Sequence, residues 1–256
     1  MNLKMQIQYD GTRYDGWQRQ GNTANTIQGR LEAVLERIFG TYLEIHGAGR
    51  TDAGVHAVGQ VANVHIPDEL ARVKWHGDTK SFEEALLMEM NRYLPEDIGI
   101  TDIEAAAERF HSRLNAAGKV YCYRIGLPGR KNVFERRQIY PLDTGLDPEV
   151  MRRTADYLVG EHDFRGFCSG RNKKKSTVRR LDRIEIREAD GELRILYQGN
   201  GFLYNMVRIL TGTLIEAGQG RRSPESVLEI LETGKRELAG YTVPARGLTL
   251  MRVLYH

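Results

Sequence analysis

Apolar and polar side chains alternate in the first residues of the chain. Every second position from residue 3 to residue 9 is apolar, and lysine or glutamine fills the positions between them. This period of two predicts a half-buried β-strand. Apolar residues at helical spacing then predict an amphipathic helix over residues 27–39, with Asn25 and Gln28 as a capping pair and Gly40 as its stop.

The rest of the first half predicts three more strands and a second helix. The strands fall at residues 42–45, 58–66 and 98–103. Apolar side chains at helical spacing cover residues 82–94, and this helix must end at Pro95 because proline cannot continue it. The segment 71–80 ahead of that helix is expected to be an additional loop.

The second half repeats this order of elements. A strand is predicted at residues 119–125, and Asp147 followed by Pro148 indicates the start of a helix that Gly160 closes. Two strands then form a hairpin around Asp190 and Gly191, a dipeptide suited to a tight primed turn. The hairpin strands lie at 181–187 and 193–197, the later helices at 202–217 and 224–233, and the last strand at 248–254.

Both halves therefore follow the order strand, helix, strand, strand, helix, strand. This order is typical of the split β-α-β arrangement of ferredoxin-like domains. We predict an α+β fold of two ferredoxin-like domains, residues 1–108 and 109–256, whose antiparallel-rich sheets surround a central active-site cleft.

Composition adds less to this picture than the pattern does. The chain has 256 residues, 41% of them hydrophobic and 28% charged, with a formal net charge of +3. So modest a charge leaves any attraction to nucleic acid to the placement of the basic residues. Cys122 and Cys168 are too few for a disulfide framework, which favours a reducing compartment such as the cytoplasm. No stretch approaches the roughly 20 apolar residues of a membrane span, so no membrane association is expected.

The most unusual local sequence is the glycine-rich segment 47–57, which lies between two predicted strands. Its Asp52 could simply cap a tight turn, the common role of an aspartate in such a loop. A phosphate-binding loop is disfavoured, because Asp52 stands where a G-x-G-x-x-G motif needs its third glycine and no Gly-Lys-Ser/Thr follows. The third possibility is a catalytic loop that holds a carboxylate beside the guanidinium of Arg50.

A resemblance decides among these possibilities. The run Gly49-Arg50-Thr51-Asp52-Ala53-Gly54-Val55-His56-Ala57 resembles the signature of the tRNA pseudouridine synthase A family, whose motif aspartate is the catalytic residue. Further segments resemble blocks of that family in the same order, at residues 9–12, 16–18, 26–29, 119–123, 163–164, 201–208 and 244–248. The chain departs from the family pattern at Thr249, where a tyrosine is common, and in a longer segment 71–80.

The resemblance implies an enzyme that isomerises uridine to pseudouridine at nucleotides 38, 39 and 40 in the anticodon stem-loop of tRNA, without a cofactor and as a homodimer. Asp52 would act on the flipped-out nucleotide; attack on C1′, attack on C6 and a glycal-forming path all stay open. Arg208, matched to a motif arginine, would lower the pKa of the Asp52 carboxyl and keep it ionised. Tyr121 would stack on the flipped uracil and could transfer a proton. Arg50 would occupy the space that the base leaves.

Basic residues dominate the segment 171–183, in which Asp182 is the acid. Such a run is usually a solvated face, but in an RNA-binding enzyme it is the expected contact surface for phosphates. Arg13, Arg19 and Arg113 are expected to extend it. The histidines near the glycine-rich loop lack zinc-site spacing, and we predict no catalytic metal. The basic residues of the segment are Arg171, Lys173, Lys174, Lys175, Arg179, Arg180 and Arg183.

The alternative from another class is a non-catalytic RNA-binding protein. Ferredoxin-like sheets with aromatic side chains and a basic edge serve that purpose too. Asp52 beside Arg50 in a glycine-flanked loop argues against it, because a carboxylate opposes RNA binding unless chemistry requires it. A nucleotide-hydrolysing enzyme is disfavoured because the phosphate motif is missing.

Overall fold

The structure, a computed structural model, describes residues 1–74, 78–129, 131–170 and 176–256. These residues form two compact units. Unit 1 comprises Met1–Ala117 and Leu250–His256, and unit 2 comprises Gly118–Thr249. Both units contain helices and a sheet whose strands pair mostly antiparallel, so the predicted α+β class is confirmed.

Unit 1 has the strand order of a split β-α-β domain. Its first strand, β1 (Asn2–Tyr9), follows the predicted alternation. The next two are β2 (Ile45–Gly47), which lies later than the predicted 42–45, and β3 (His56–His65). The fourth strand is β4 (Ile98–Ala106). The strand order is β4, β1, β3, β2, and each neighbouring pair is antiparallel. From Leu250 the chain returns to unit 1, where the last strand also lies beside β3.

The first helix, α1 (Ile27–Phe39), has the predicted length but a different N-cap. Thr26 is the capping residue instead of Asn25, because its extended backbone directs Oγ1 to the backbone N–H of Gly29 at 3.2 Å. Gly40 ends the helix as predicted, with a φ of 73° that favours glycine. A short 3-10 turn at Gly11–Arg13 precedes this helix.

The predicted loop at 71–80 is wrong. Helix α2 (Asp68–Lys74) occupies its first part, and acidic residues in the first turn favour a helix N-terminus. Helix α3 (Thr79–Tyr93) follows, and Asp78 caps it by accepting from the backbone N–H of Ser81 at 2.8 Å. Residues 75–77 lie outside the described part of the chain, and α3 ends before Pro95 as predicted.

The core of unit 1 forms between its sheet and the apolar faces of α1 and α3. Burying one large aliphatic or aromatic side chain contributes about 1.5–3 kcal/mol, so these positions stabilise the frame that holds the loop after β2. The fully or almost fully buried residues include Leu3, Met5, Ile7, Ile27, Leu31, Leu35, Phe82, Leu86 and Met90.

The strands of unit 2 pair mostly antiparallel. Strand β5 (Ala116–Gly126) pairs with β9 (Glu192–Gly199), which pairs with β8 (Val178–Ala189). The hairpin turn between β8 and β9 is confirmed, because Asp190 and Gly191 have φ of 57° and 76°. Two short strands complete the sheet: β6 (Tyr140–Pro141) pairs parallel with β5, and β7 (Gly160–Asp163) pairs antiparallel with β8.

The helices of unit 2 differ from the predictions at their ends. Helix α4 (Pro148–Asp156) starts as predicted, with Asp147 as its N-cap, but stops before Gly160, which begins β7. Helix α5 (Met206–Gly218) begins later than residue 202, because Asn205 adopts the left-handed region at φ 59° and interrupts helical geometry. Helix α6 (Ser226–Thr233) follows, and the final strand of the chain is β10 (Leu248–Tyr255).

Candidate active site

Asp52 lies half-exposed in the loop between β2 and β3, and backbone hydrogen bonds fix the loop on both sides of it. The carbonyl of Thr51 accepts from Trp17 N–H at 3.0 Å, and the N–H of Gly54 donates to the carbonyl of Tyr14 at 3.3 Å. The loop also closes on itself, because Val55 N–H donates to the Asp52 carbonyl at 3.1 Å. The backbone position of Asp52 is therefore set by the segment that follows β1.

A buried polar network supports this loop from the sheet. The hydroxyls of Tyr9 and Thr51 lie 2.8 Å apart, and the amide of Gln60 donates to the carbonyl of Gly49 at 3.0 Å. The same amide lies 3.4 Å from the Tyr9 hydroxyl. Burial raises the pKa of Tyr9 to about 12, so the hydroxyl stays protonated at neutral pH and holds the network as a neutral group.

Close packing around the loop requires glycine at two positions. Gly16 has a φ of 93°, and a Cβ there would lie 2.7 Å from the carbonyl oxygen of Thr51. A Cβ on Gly47 would lie 2.4 Å from Nε1 of Trp17, whose ring is buried. The indole and the Gly16 backbone thus pack directly against the start and the middle of the loop.

His56 at the end of the motif is buried and takes part in hydrogen bonding. Its Nδ1 lies 3.1 Å from the backbone N of Gly11 and 3.1 Å from Oδ1 of Asp10. His46 instead stacks on His111, with ring centroids 5.1 Å apart. Within the described ranges, no three His, Cys, Asp or Glu side chains are grouped as metal ligands.

Arg19 and Arg50, two of the arginines of unit 1 that the sequence assigns to RNA, are both exposed. Arg50 donates from Nε to Oε1 of Gln18 at 3.0 Å. Arg19 lies 3.5 Å from the buried carboxylate of Glu32, and its guanidinium sits 5.3 Å from the ring centre of Tyr42. Arg19 therefore has a carboxylate and an aromatic partner within unit 1.

Tyr121 lies on β5 in unit 2 and is 7% exposed. Its ring contacts that of Phe202 edge to face, with centroids 5.1 Å apart and planes at 82°. On the strand it stands opposite Tyr197. The edge-to-face contact fixes the ring plane of Tyr121, as a stacking surface requires.

Arg208 projects from the first turn of α5 and is half-buried. Its Nε donates to the carbonyl of Val243 at 2.7 Å, and its Nη1 donates to Oδ1 of Asn205 at 2.8 Å. Two hydrogen bonds hold the guanidinium in one orientation. Asp52 belongs to unit 1 and Arg208 to unit 2, and their pairing stays a prediction.

The basic segment 171–183 is described only in part. Arg171, Lys173, Lys174 and Lys175 lie outside the described residues. The later arginines belong to β8, where Arg180 pairs with Asp182 at 2.7 Å and Arg183 lies 3.5 Å from Glu185. The described end of the segment thus carries acidic partners as well as basic residues.

Sequence reasoning missed the roles of Tyr9, Gln60 and Trp17. Tyr9 is placed by the sequence in a strand and in the family-like segment 9–12 without a role of its own, and Gln60 lies within a strand that is otherwise apolar over most of its length. A glutamine that is fully buried in such a strand needs a hydrogen-bond partner, and this was the available signal.

In the described residues, no helix combines the length and apolar character that crossing a membrane requires.

Comparison with known proteins agrees with the motif. The family model described as tRNA pseudouridine synthase matches residues 5–113 and 154–256. tRNA pseudouridine synthase A of Bacillus sp. (strain KSM-64) is 45% identical over 249 residues, which cover 97% of each chain. tRNA pseudouridine synthase A 2 of Bacillus anthracis is 42% identical over 252 residues, or 98% of each chain.

Among solved structures, one described as "Crystal Structure of a Cbf5-Nop10-Gar1 Complex" aligns with 97% of this chain and 48% of that chain, at 14% identity. Its TM-score of 0.39 is too low to bear on the fold. The family model and the full-length relatives are decisive, and the chain belongs to the tRNA pseudouridine synthase family, a family of isomerases.

Proposed function

We propose that the protein converts uridine to pseudouridine at nucleotides 38, 39 and 40 in the anticodon stem-loop of tRNA, with Asp52 as the essential carboxylate. The reaction breaks the bond between N1 and C1′ and forms one between C5 and C1′. C5 loses a proton and N1 gains one, so substrate and product are isomers. The balance consumes no oxidant or reductant, and we propose that the reaction proceeds without a cofactor.

The observation that supports this proposal best is the fixed position of Asp52. The loop is tied to the segment after β1 by the bonds of Thr51 and Gly54, and to the sheet by the Tyr9 hydroxyl. A carboxylate on so constrained a backbone is preorganised, and preorganisation contributes to catalysis because little rearrangement precedes the reaction. Asp52 can serve as a nucleophile at C1′ or C6, or stabilise the charge that develops on a glycal path.

Two residues of unit 2 are proposed to complete the site. The ring of Tyr121, held by Phe202, would stack on the flipped uracil, a contact worth on the order of 1–3 kcal/mol per base. The guanidinium of Arg208, oriented by Val243 and Asn205, would pair with the Asp52 carboxylate and keep it ionised. Arg50 would enter the space that the flipped base leaves.

Phosphate contacts are proposed for the basic segment on the strength of its sequence. Four basic residues lie within five positions, and only the neutral Asn172 interrupts them: Arg171, Lys173, Lys174 and Lys175. This run concentrates positive charge for contact with RNA phosphates. Arg19 would contribute less than an unpaired arginine, because Glu32 offsets its charge.

We also propose a homodimer, which sedimentation equilibrium would distinguish from a monomer.

The proposed activity and position are tested together with anticodon stem-loop transcripts. Three transcripts each carry one uridine, at nucleotide 38, 39 or 40, and a fourth carries none at these positions. After incubation with the protein, pseudouridine is mapped by carbodiimide adducts and primer extension. The proposal expects stops at the single uridine of the first three transcripts and none in the fourth. Tight binding without any stop would instead favour a non-catalytic RNA-binding protein.

A further inference from the structure

A cavity of about 620 Å³ lies within unit 1, and no residue of the loop that carries Asp52 lines it. It opens between α1, the end of α3 and the 3-10 turn after β1. Its volume falls in the range of about 300–1,000 Å³ that is typical of ligand pockets. The lining residues that matter for its chemistry are Arg13, Tyr14, Arg30, Val34, Arg37 and Tyr93.

Arg30 and Arg37 give this cavity its positive charge. They are seven residues apart on α1, which places them on one face at a separation of about 10 Å along the axis. Both are exposed. In the parts of the chain that the structure describes, no carboxylate oxygen lies within 4.0 Å of either guanidinium.

Arg13 at the same cavity has a different electrostatic environment. Its Nη2 and Nε lie 2.7 Å and 2.8 Å from Oδ2 of Asp97, and the hydroxyl of Tyr14 donates to the other oxygen of that carboxylate at 2.5 Å. Asp97 is thereby engaged by Arg13 and Tyr14. The charges of Arg30 and Arg37 are left to attract an anion from solution.

Contacts within the protein already hold the guanidiniums of Arg30 and Arg37 in place. The guanidinium carbon of Arg37 lies 3.9 Å from the ring centre of Tyr93, and a guanidinium stacked on a ring keeps its N–H edges for donation. Arg30 donates from Nη2 to Oδ1 of Asn25 at 3.1 Å. Oriented donors lose less conformational entropy when a ligand binds, which favours affinity.

We propose that this cavity is a second RNA subsite that binds one nucleotide other than the reacting uridine. Its phosphate contacts Arg30 and Arg37, and its base or ribose packs against Val34 and Tyr93. Guanidinium groups match phosphate oxygens in geometry and charge, and aromatic and apolar walls accept a base of any identity. This inference rests on the proposed function, because it takes tRNA as the source of the nucleotide.

The cavity and the catalytic loop share one residue. Tyr14 lines the cavity, and its carbonyl accepts from the N–H of Gly54, two residues after Asp52. A nucleotide bound in the cavity therefore has a fixed position relative to the loop that carries Asp52. The subsite positions the tRNA and takes no part in the bond changes.

The test measures tRNA affinity by fluorescence anisotropy over a range of salt concentrations. R30Q/R37Q removes both charges, and A33W fills the cavity without changing charge, because Ala33 also lines it. We expect R30Q/R37Q to weaken tRNA binding by about tenfold at low salt and to flatten the slope of log affinity against log salt by roughly 0.7–0.9, the value for one phosphate contact. A33W should weaken binding to a similar extent. The control R72Q/R109Q removes two exposed arginines elsewhere in unit 1 and should leave affinity and turnover unchanged.

Three results would overturn the inference. Unchanged affinity and salt slope in both cavity variants would show that RNA does not enter. An equal loss in R72Q/R109Q would show a general effect of charge. Calorimetric binding of uridine 5′-monophosphate that R30Q/R37Q abolishes, with tRNA affinity intact, would assign the cavity to a free nucleotide. Failure of the proposed function is a separate result, namely cavity-dependent tRNA binding without formation of pseudouridine.

Discussion

The hydroxyl of Tyr9 lies 2.8 Å from Oγ1 of Thr51, the residue that precedes Asp52 in the chain. Tyr9 ends β1, where it stands opposite Ala57 on β3. The hydrogen bond therefore ties the loop that carries Asp52 to the sheet, one residue before Asp52. Gln60 lies next to this pair and reaches the carbonyl of Gly49.

Replacing Tyr9 with phenylalanine should lower kcat more than it changes KM. The variant loses the bond to Thr51 and leaves a buried hydroxyl partner unsatisfied, at a cost of about 1–3 kcal/mol in the free energy of unfolding. Asp52 then gains freedom to move, which reduces turnover but leaves the RNA-binding surface intact. Steady-state kinetics with tRNA, together with urea unfolding, measure both effects.

Tyr255→Phe is the matched control for that variant. It also removes a tyrosine hydroxyl from unit 1, one that donates to the carbonyl of Ser112 at 2.8 Å, away from the loop. We expect a comparable loss of stability and normal kcat. Equal losses of kcat in Tyr9→Phe and Tyr255→Phe would contradict a positioning role for Tyr9.

Substitutions at Tyr121 should give a graded response. Phenylalanine keeps the ring contact with Phe202 and the stacking surface, so tRNA affinity should stay within a few-fold of the wild type. Leucine removes the ring, and binding should weaken by about 1–3 kcal/mol. Turnover of the phenylalanine variant at saturating tRNA then reports whether the hydroxyl transfers a proton. Full activity in Tyr121→Leu would show that Tyr121 is only a core residue.

Arg208→Met should reduce turnover by about 100-fold or more, because it removes the charge proposed to pair with Asp52. Arg208→Lys should fall between this variant and the wild type, since lysine keeps the charge but cannot reproduce both bonds to Val243 and Asn205. Arg222→Lys is the control, because Arg222 is also half-buried in unit 2 and pairs with Glu216 at 2.6 Å. The control should lose stability without losing turnover. Normal turnover in a folded Arg208→Met protein would refute the pairing.

Buried tyrosines should make the protein unstable in alkali. Burial raises the pKa of Tyr9 to about 12, and burial also raises the pKa of Tyr123 and Tyr197. Unfolded tyrosines ionise near pH 10, so above that pH the unfolded chain binds fewer protons than the folded one and stability falls as pH rises. Urea unfolding should give a constant free energy between about pH 8 and 9 and a steep decline above about pH 10. A free energy of unfolding that stays constant from about pH 8 to above about pH 10 would contradict the burial of these tyrosine side chains.

Local patterns explain why much of the fold could be predicted from the sequence. The stripe over α1 and the Asp190-Gly191 turn each depend on residues close together in the chain, and both were predicted correctly. Asn25 and Thr26 are both good caps, and only the backbone angles decide between them. The hydrogen bond of Tyr9 depends on the register of β1 against β3, which leaves no signal in either segment alone.

Part of the candidate site could also be predicted from the sequence. Asp52 could be found because its motif is contiguous, whereas the cavity beside Tyr93 arises only when α1 and α3 are placed together. The bond from Arg208 to the carbonyl of Val243, 35 residues away in the chain, depends on tertiary structure and was not predicted.

The most direct test of the account is pseudouridine formation by Asp52→Asn under single-turnover conditions, with enzyme in excess over an anticodon stem-loop transcript. Asparagine keeps the shape of the side chain, and the bond from Val55 N–H to the backbone carbonyl of residue 52 is unaffected. Only the reactive charge is lost. We predict no detectable pseudouridine and tRNA affinity within a few-fold of the wild type. Substantial conversion of uridine by Asp52→Asn would contradict the assignment of Asp52 as the essential carboxylate.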